Sequence, residues 1–189
     1  MTTDTRETIM DAAKLVVQRE GYNALSFREL AKDIGIKNAS VHYHFPTKGD
    51  LGQALAKRYA EEAKAFLQGL SLIKEDGART MRAYVEAFRL ALKKDNRMCL
   101  CGIMLAERDA LPEPVLTEVQ RFRSVNVDWL REFISVHRPK AAEVELGDDA
   151  LAIFSAIEGA QLVARGSADI GMFDRMMDRY GSAGLFPVW

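Results

Sequence analysis

The sequence predicts an all-α protein in which a small amino-terminal helix-turn-helix domain is joined to a larger helical domain, with about nine helices in total. Apolar residues recur at helical spacing along nearly the whole chain, and no segment shows the alternation typical of a strand. Glycines, prolines and capping residues divide this pattern into helix-sized segments. We place the domain boundary after residue 46, so that residues 1–46 form the first domain and residues 47–189 form the second.

The composition is that of an ordinary globular protein and argues against several other classes. The chain has 189 residues, of which 48% are hydrophobic and 28% charged, and its net charge is -1. It contains no secretory signal pattern and no run of apolar residues long enough to span a membrane. Its two cysteines are too few for a disulfide scaffold. We therefore expect a cytoplasmic protein with no membrane partner.

The first two helices are predicted from an apolar stripe and from their end signals. Residues 4–20 carry Ile9, Ala12, Ala13, Val16 and Val17 on one face, and Gly21 follows as a stop signal. Ser26 and Glu29 then match a capping box, in which each side chain accepts a hydrogen bond from the backbone of the other residue. The second helix begins there and ends before Gly35.

A very short third helix is predicted over residues 39–44. Pro46 ends it, because the residue before a proline is pushed out of the helical region. A helix of this length is not stable alone and must be held by packing. Val41 and Phe45, which are four residues apart, are the natural anchors. Their inward placement turns four neighbours mostly outward, namely Ser40, His42, Tyr43 and His44.

The remaining helices are longer and follow from periodicity and punctuation. Residues 47–50, Thr-Lys-Gly-Asp, form a second capping sequence and begin a helix that reaches about residue 70. Five further helices are predicted. Four lie over about residues 75–94, 99–109, 148–165 and 170–180, and a long one between the second and third of these carries apolar residues from Val115 to Val136 and stops at Pro139.

The outward residues of the short helix have the chemistry of a nucleic-acid contact. Serine, tyrosine and histidine can hydrogen-bond phosphate oxygens, and lysine adds positive charge. Three helix starts follow closely in sequence, at Ser26, Asn38 and Thr47, and helix N-termini attract phosphate. Lys48 lies in a first turn, where a cation opposes the helix dipole unless an anion binds there. The alternative interpretation is a surface helix whose polar rings are merely solvated.

The segment TIMDAAKLVVQREGYNALSFRELAKDIGIKNASVHYHFPTKGDLGQAL resembles the amino-terminal domain of TetR-family transcriptional repressors. The resemblance covers about residues 6–55, and it depends on the elements AA..L....G, S.RELAKDIGI, ASVHYHF and K.DL. The rest of the chain is only generically similar to the family's variable, all-helical regulatory domain. This resemblance implies a DNA-binding transcriptional regulator, most often a repressor.

The resemblance implies roles for residues at matching positions. Phosphate contact would come from Ser26 and Arg28, and from Tyr43, His44 and Lys48. The residues facing the major groove would be Lys37, Asn38, Ala39, Ser40 and His42. Many family members have a different residue at the position of His42, directly before the tyrosine, so the base preference at that position does not transfer.

A homodimer is implied as well, because one helix-turn-helix buries too little surface for tight specific binding. Two copies of the helix-turn-helix, related by the two-fold symmetry of a homodimer, would bind a palindromic double-stranded DNA operator. The interface is predicted on the last two helices, at Ala152, Ile153, Ala156, Ile157, Gly159, Ala160 and Ala164. The alternative is that these residues form an internal helix pair within one subunit.

A small-molecule effector that releases the DNA is the family's usual regulatory device. Its pocket is predicted in the middle of the chain, and the candidate lining residues are Phe88, Leu92, Met104, Glu107, Phe122, Trp129, Glu158 and Gln161. Plain core packing remains the alternative interpretation of any one of these residues.

Three other functions would each require different features of the sequence. Cys99 and Cys101 follow several cations, so a thiol-based redox- or electrophile-sensing repressor is the alternative regulator. A helical adaptor would bind no DNA and would show no salt-dependent DNA affinity. An enzyme is not expected, because the phosphate-loop, dinucleotide, nucleophile-elbow and zinc-protease motifs are absent from the sequence. We accordingly expect no cofactor and no metal.

Overall fold

The computed structural model describes residues 4–71 and 76–189, and every regular element in these two ranges is helical. The described part contains nine α-helices and one short 3-10 turn, which confirms the all-α class. The helices are α1 (Thr5–Glu20), α2 (Phe27–Asp33), α3 (Asn38–His44), α4 (Lys48–Ser71), α5 (Gly77–Lys93), α6 (Leu100–Ala106), α7 (Glu113–His137), α8 (Glu143–Gly166) and α9 (Ile170–Ser182). Among these helices, none has the length and apolar content that crossing a membrane requires.

The chain divides into two compact units that are not simply consecutive in sequence. The first unit comprises Met1–Glu61 and Leu100–Phe122, and the second comprises Glu62–Cys99 and Arg123–Trp189. The first unit therefore contains α1, α2, α3 and α6 together with parts of α4 and α7. The boundary after residue 46 stays a prediction about the helix-turn-helix segment, which is only one part of the first unit.

The first unit is built around α1, which packs against α2, α3 and α6. Its buried residues Ile9, Met10, Ala13 and Val17 form the stripe that helical spacing requires. The predicted stripe is therefore in the correct position, but its members differ slightly. Met10 is buried in addition, and Val16 is only half-buried. Each large apolar side chain buried in this way contributes about 1.5–3 kcal/mol relative to an exposed one.

Capping side chains fix the helix starts that the sequence indicated. The Asp4 carboxylate accepts from the N–H of Arg6 at 3.0 Å and begins α1. At the start of α4, the hydroxyl of Thr47 accepts from the N–H of Asp50 at 3.1 Å. The Asp50 carboxylate in turn accepts from the N–H of Thr47 at 2.9 Å, which completes a reciprocal cap.

The second unit is a helical layer in which α8 packs against α5 and α9, and α5 also packs against α9. Its largest fully buried side chains include Tyr84, Phe173 and Leu130. At the edge of this core the Arg89 guanidinium binds both oxygens of the Asp174 carboxylate, at 2.6 and 2.9 Å, and so joins α5 to α9.

Two helix boundaries differ from the periodicity-based ones by three residues or more. Helix α8 begins at Glu143, before residue 148, because the Glu145 carboxylate accepts from the N–H of Ala142 at 3.0 Å and caps a start that lacks a serine or threonine. Helix α6 ends at Ala106, before residue 109, and the chain continues as a 3-10 turn over Arg108–Ala110. The first residue predicted for α5, residue 75, lies outside the described residues.

Candidate functional site

The helix-turn-helix is formed by α2, a glycine-containing turn and α3. The hydroxyl of Ser26 accepts from the N–H of Glu29 at 3.5 Å, which is the half of the predicted capping box that the structure contains among its described contacts. Gly35 adopts a φ of 72°, in the left-handed region that favours glycine. The N–H of Ile36 bonds the carbonyl of Ala31 at 2.9 Å and closes the end of α2.

Two buried anchors hold the short helix α3 in place. Val41 is 0% exposed and Phe45 is 2% exposed, as their four-residue spacing predicted. The Arg6 guanidinium of α1 lies 5.0 Å from the centre of the Phe45 ring, so the second anchor is also covered by a cation. Because seven residues make too few backbone hydrogen bonds for independent stability, these contacts determine which face of α3 remains outside.

The outer face of α3 carries the predicted DNA-contacting side chains. Tyr43 is 83% exposed, the largest exposed fraction among the exposed large hydrophobic residues of the described chain. Of the ten candidates, six are exposed (Arg28, Lys37, Asn38, Ala39, His42, Tyr43) and four are half-buried (Ser26, Ser40, His44, Lys48). None of the ten is part of the buried core, so the inward packing that would have ruled out a reading helix does not occur.

His42 is exposed but oriented. Its ring packs edge-on against Phe27, with ring centres 4.9 Å apart, and its Nδ1 lies 3.4 Å from the carbonyl oxygen of Pro46. A tautomer with the proton on Nδ1 satisfies that carbonyl and leaves Nε2 as an acceptor directed away from it. His42 can therefore present a defined hydrogen-bonding edge from α3.

Lys48 is already engaged inside the first unit. Its ammonium donates to the carbonyl of Asn23 at 2.9 Å and lies 4.7 Å from the centre of the Tyr22 ring. Burial lowers the pKa of Lys48, and the nearby Glu107 carboxylate raises it. The carbonyl and the aromatic face thus stabilise a cation at the start of α4, where the helix dipole alone opposes one. Phosphate contact by Lys48 stays a prediction, and the ammonium would have to share its donors to make it.

Glu107 fastens the loop between α1 and α2. Its carboxylate accepts from the N–H of Tyr22 and from the N–H of Asn23, the latter at 3.4 Å. The same carboxylate lies so close to Gly21 that a Cβ there would come within 2.6 Å of it. No local sequence pattern indicates this contact, because the partners are more than 80 residues apart and neither belongs to a capping motif.

The predicted effector-pocket residues do not all lie in the same unit. Met104, Glu107 and Phe122 belong to the first unit, and the Phe122 ring lies 5.1 Å from that of Tyr59. The second unit contains the other five, Phe88, Leu92, Trp129, Glu158 and Gln161. Since the Glu107 carboxylate is occupied by backbone N–H groups, its geometry favours a structural role over a ligand contact.

Within the second unit, Gln161 is a buried cross-link. Its Oε1 accepts from the N–H of Cys99 at 2.8 Å, and its Nε2 donates to the carbonyl of Phe88 at 2.7 Å. Both ends of the amide are thereby used by backbone groups of other segments. Gln161 consequently holds the segment before α6 against α5 and α8.

Glu158 on α8 is the unusual member of the set. Both carboxylate oxygens are buried, although the residue as a whole is half-buried, and neither has a hydrogen-bond partner among the described residues. Burial raises the pKa of Glu158 to about 7, and the neighbouring Cys99 thiol, a weak hydrogen-bond donor, acts in the opposite direction. A buried acceptor pair of this kind is rare and calls for an explanation.

Neither cysteine has the surroundings of a reactive thiol. Cys99 is 2% exposed and Cys101 is 0% exposed. Reactive cysteines are accessible to solvent and lie near cations. Thiol-based sensing by Cys99 and Cys101 therefore stays a prediction that this geometry does not favour.

The predicted dimer-interface residues fall into two groups on α8. Ile153, Ile157, Ala160 and Ala164 are buried inside the second unit, so they belong to the chain's own core and agree with the internal-pair alternative. Ala152 and Gly159 are exposed and Ala156 is half-buried. The exposed face of α8 instead carries large apolar residues that the prediction omitted, namely Leu151, Leu162 and Val163. Burial and exposure alternate at helical spacing here, and periodicity alone cannot say which apolar face meets the chain's own helices.

A cleft of about 670 Å³ also lies in the second unit, between α4, α7 and α8. Trp129, Val125 and Leu146 contribute apolar surface, and charged side chains surround it at Lys64, Asp128, Arg131, Glu132 and Glu143. Trp129 is the only predicted effector residue that lines this cleft. Its volume is within the usual range for small-molecule sites.

Comparison with known proteins finds one family in every kind of match. Residues 9–55 match the family model for bacterial regulatory proteins of the tetR family. Over 82 residues the chain is 33% identical to the HTH-type nicotine-responsive transcriptional repressor HdnoR of Paenarthrobacter nicotinovorans. That alignment covers 43% of this chain and 40% of the relative, so the chain spans about two fifths of that relative's length.

Solved structures extend the similarity to the whole chain. A TetR transcriptional regulator from Legionella pneumophila superposes with a TM-score of 0.90 at 28% identity, covering 97% of this chain and 99% of that one. A TetR-family transcriptional regulator from Agrobacterium tumefaciens gives a TM-score of 0.84 at 27% identity, covering 92% and 94% respectively. These relatives are transcriptional regulators and not enzymes.

The buried carboxyl of Glu158 predicts a pH-dependent stability difference. A carboxyl whose pKa is raised by folding stabilises the folded state below its unfolded pKa, and this stability is lost as pH rises through the folded value of about 7. Glu158→Gln does not titrate, so it should gain stability relative to the parent on going from pH 5 to pH 8.5, by on the order of 2 kcal/mol. Urea unfolding at the two pH values measures this difference. Glu132→Gln, which removes an exposed carboxyl of the same unit, is the control. An equal parent-to-variant difference at both pH values would contradict burial of the charge.

Proposed function

We propose that the chain is a TetR-family transcriptional regulator, and that it is a homodimeric repressor that binds a palindromic DNA operator through α2 and α3. The observation that carries the proposal is the outer face of α3, where Tyr43 is 83% exposed although the helix is anchored from within. An exposed tyrosine held on a supported helix offers both an apolar ring and a hydroxyl to a partner.

The chemistry of this face fits a duplex better than it fits another protein. Lys37 and Arg28 are exposed cations that can neutralise phosphates, and Tyr43 offers a hydroxyl to a phosphate oxygen. His42 presents a ring edge whose Nε2 can accept from a base amine, as adenine and cytosine display in the major groove. Phosphate contacts would fix the position of the domain, and His42 with Asn38 and Ser40 would supply base discrimination.

A dimer is required for useful affinity. One helix-turn-helix offers an interface at the small end of those that bind DNA specifically. Two copies related by a two-fold axis would place their α3 helices in successive major grooves, roughly 34 Å or a multiple of it apart. We assign the interface to the exposed apolar stripe of α8, in which Leu151, Leu162 and Val163 accompany the small residues Ala152 and Gly159. The absence of a side chain at Gly159 allows two such helices to approach closely.

Regulation by a small molecule completes the proposal. The relative HdnoR is described as nicotine-responsive, and we place an effector site of this chain in its second unit. An effector changes DNA affinity only if it binds one conformation more tightly than the other. We propose that it prefers a conformation with the wrong spacing between the two α3 helices, and so releases the operator.

Tyr43→Ala should weaken operator binding by about tenfold or more, because it removes a phosphate contact worth on the order of 1.5 kcal/mol. Its effect on the free energy of unfolding should stay within about 0.5 kcal/mol, as for other surface substitutions. Fluorescence anisotropy with a labelled operator and urea unfolding measure the two quantities. Val41→Ala is the matched control on the same helix, since it should lose stability by about 1–3 kcal/mol. A destabilised Tyr43→Ala protein, or one that binds DNA like the parent, would assign Tyr43 another role.

Leu162→Glu should convert the protein to a monomer by placing a charge in the middle of the α8 stripe. Operator affinity should fall with it, while helical content remains that of the parent. Leu90→Glu makes the same substitution at an exposed leucine on α5, outside the α8 stripe, and should leave the dimer intact. Sedimentation velocity measures the molar mass. If Leu162→Glu stays dimeric, the interface lies elsewhere.

A further inference from the structure

We propose that the effector of the second unit is a protonated amine, and that Glu158 is its counter-ion within a wall of aromatic rings. This inference rests on the proposed function, because it calls the ligand an effector. Binding of the ligand can nevertheless be tested without DNA. It goes beyond the pocket prediction, because it assigns a charge and a chemical class to the ligand and a specific residue to its recognition.

The carboxylate of Glu158 lacks a counter-ion. An ionised carboxylate without hydrogen bonds is among the costliest groups to bury, and proteins normally pair it. Neither oxygen of Glu158 has a partner among the described residues. Tyr84 is an electrostatic neighbour of Glu158, and the Cys99 thiol is a weak hydrogen-bond donor to it. Both groups are neutral or become negative, so neither can act as a counter-ion.

The oxygen and nitrogen groups near Glu158 already have hydrogen-bond partners. The Tyr84 hydroxyl donates to Oδ1 of Asn126 at 3.1 Å. The N–H of Cys99 and the amide of Gln161 are both used in the cross-link described above. Apart from the weak thiol donor of Cys99, a rearrangement that gave Glu158 one of these donors would therefore break another buried hydrogen bond. A donor brought by a ligand would break none of them.

Tyr84, which interacts electrostatically with Glu158, belongs to a series of packed aromatic rings. Tyr84 stacks on Trp129 with ring centres 5.0 Å apart, and Phe88 meets Tyr84 edge-on at 5.4 Å. Phe133 in turn stacks on Trp129, with ring centres 5.3 Å apart. Aromatic faces attract organic cations, and they do so more strongly where water is excluded. Rings beside a lone carboxylate favour an ammonium carried on an apolar body.

A cleft in the second unit shares Trp129 with this series of aromatic rings. Trp129 forms part of the wall of the 670 Å³ cleft and also stacks on the Tyr84 ring. Asp128, Glu132 and Glu143 line this cleft together with only two cations, Lys64 and Arg131. The excess of acidic side chains favours the approach of a positive ligand.

Other ligand classes fit these observations less well. An anion would be repelled by Glu158 and by the acidic side chains of the cleft. A metal ion prefers several oxygen or nitrogen ligands, and Glu158 offers a single carboxylate. A primary or secondary amine brings two or more N–H donors, a positive charge and an apolar substituent, and so satisfies both carboxylate oxygens at once.

The test uses Trp129 as a reporter. The chain has two tryptophans, so Trp189→Phe leaves Trp129 as the only one. This protein is titrated at pH 8 with three ligands of similar shape, 4-phenylbutylamine, 4-phenylbutanol and 4-phenylbutyrate, and the tryptophan fluorescence is followed. The amine should bind saturably, and at least about tenfold more tightly than the alcohol, as expected for a charge-assisted hydrogen bond. The carboxylate should bind more weakly than the alcohol.

Variants at Glu158 then assign the selectivity. In the same background, Glu158→Gln should weaken amine binding by about tenfold or more and leave alcohol binding unchanged. Asp148→Asn, which removes an exposed acidic side chain of the second unit that does not line the cleft, should change amine binding by less than about threefold. The inference is overturned if the amine does not bind saturably, if amine and alcohol bind alike, or if Glu158→Gln keeps the selectivity. The comparison of amine with alcohol in the parent does not depend on how the variant folds.

Operator binding, measured on the same protein, separates this inference from the proposed function. A protein that binds its operator but not the amine remains a DNA-binding regulator and refutes only the assigned ligand class. A protein that binds the amine through Glu158 but binds no DNA supports the ligand site and refutes the proposed function.

Discussion

The candidate interface depends on the burial of two side chains beneath a helix that cannot form alone. Helix α3 has seven residues, well below the length at which isolated helices become stable in water. Val41 and Phe45 supply the missing stability from one side and so determine the orientation of the other side. Tyr43 and His42 are exposed for this reason, and their positions are as rigid as the core under them. A recognition surface with little freedom to lose on binding follows directly.

Long-range polar contacts hold this supporting core together. Glu107 fastens the backbone of Tyr22 and Asn23, and the Lys48 ammonium binds the carbonyl of Asn23 from the other direction. The loop between α1 and α2 is thereby fixed at both its N–H and carbonyl groups. This arrangement also explains a cation in the first turn of α4, because the carbonyl and the Tyr22 ring offset the unfavourable helix dipole.

Local features were predictable from the sequence, and long-range ones were not. Apolar spacing and the cap formed by Thr47 and Asp50 fixed the all-helical class and the helix-turn-helix, because these signals act within a few residues. The start of α8 was missed, since Glu145 caps it without a serine or threonine at Ala142. The role of Glu107 was missed because its partners lie more than 80 residues away. Ile153 and Ile157 could not be assigned to core or interface, since both environments select apolar residues at the same spacing.

The most direct test of the account is selection of binding sites from a pool of random DNA duplexes, with the parent protein and with His42→Asn. If the outer face of α3 reads bases as a symmetric dimer, the parent will enrich an inverted repeat whose half-sites lie roughly 34 Å or a multiple apart. The variant should then change the preferred base at one position, in both half-sites alike. Enrichment of no sequence, or an identical motif with both proteins, would contradict the claim that this face of α3 reads DNA.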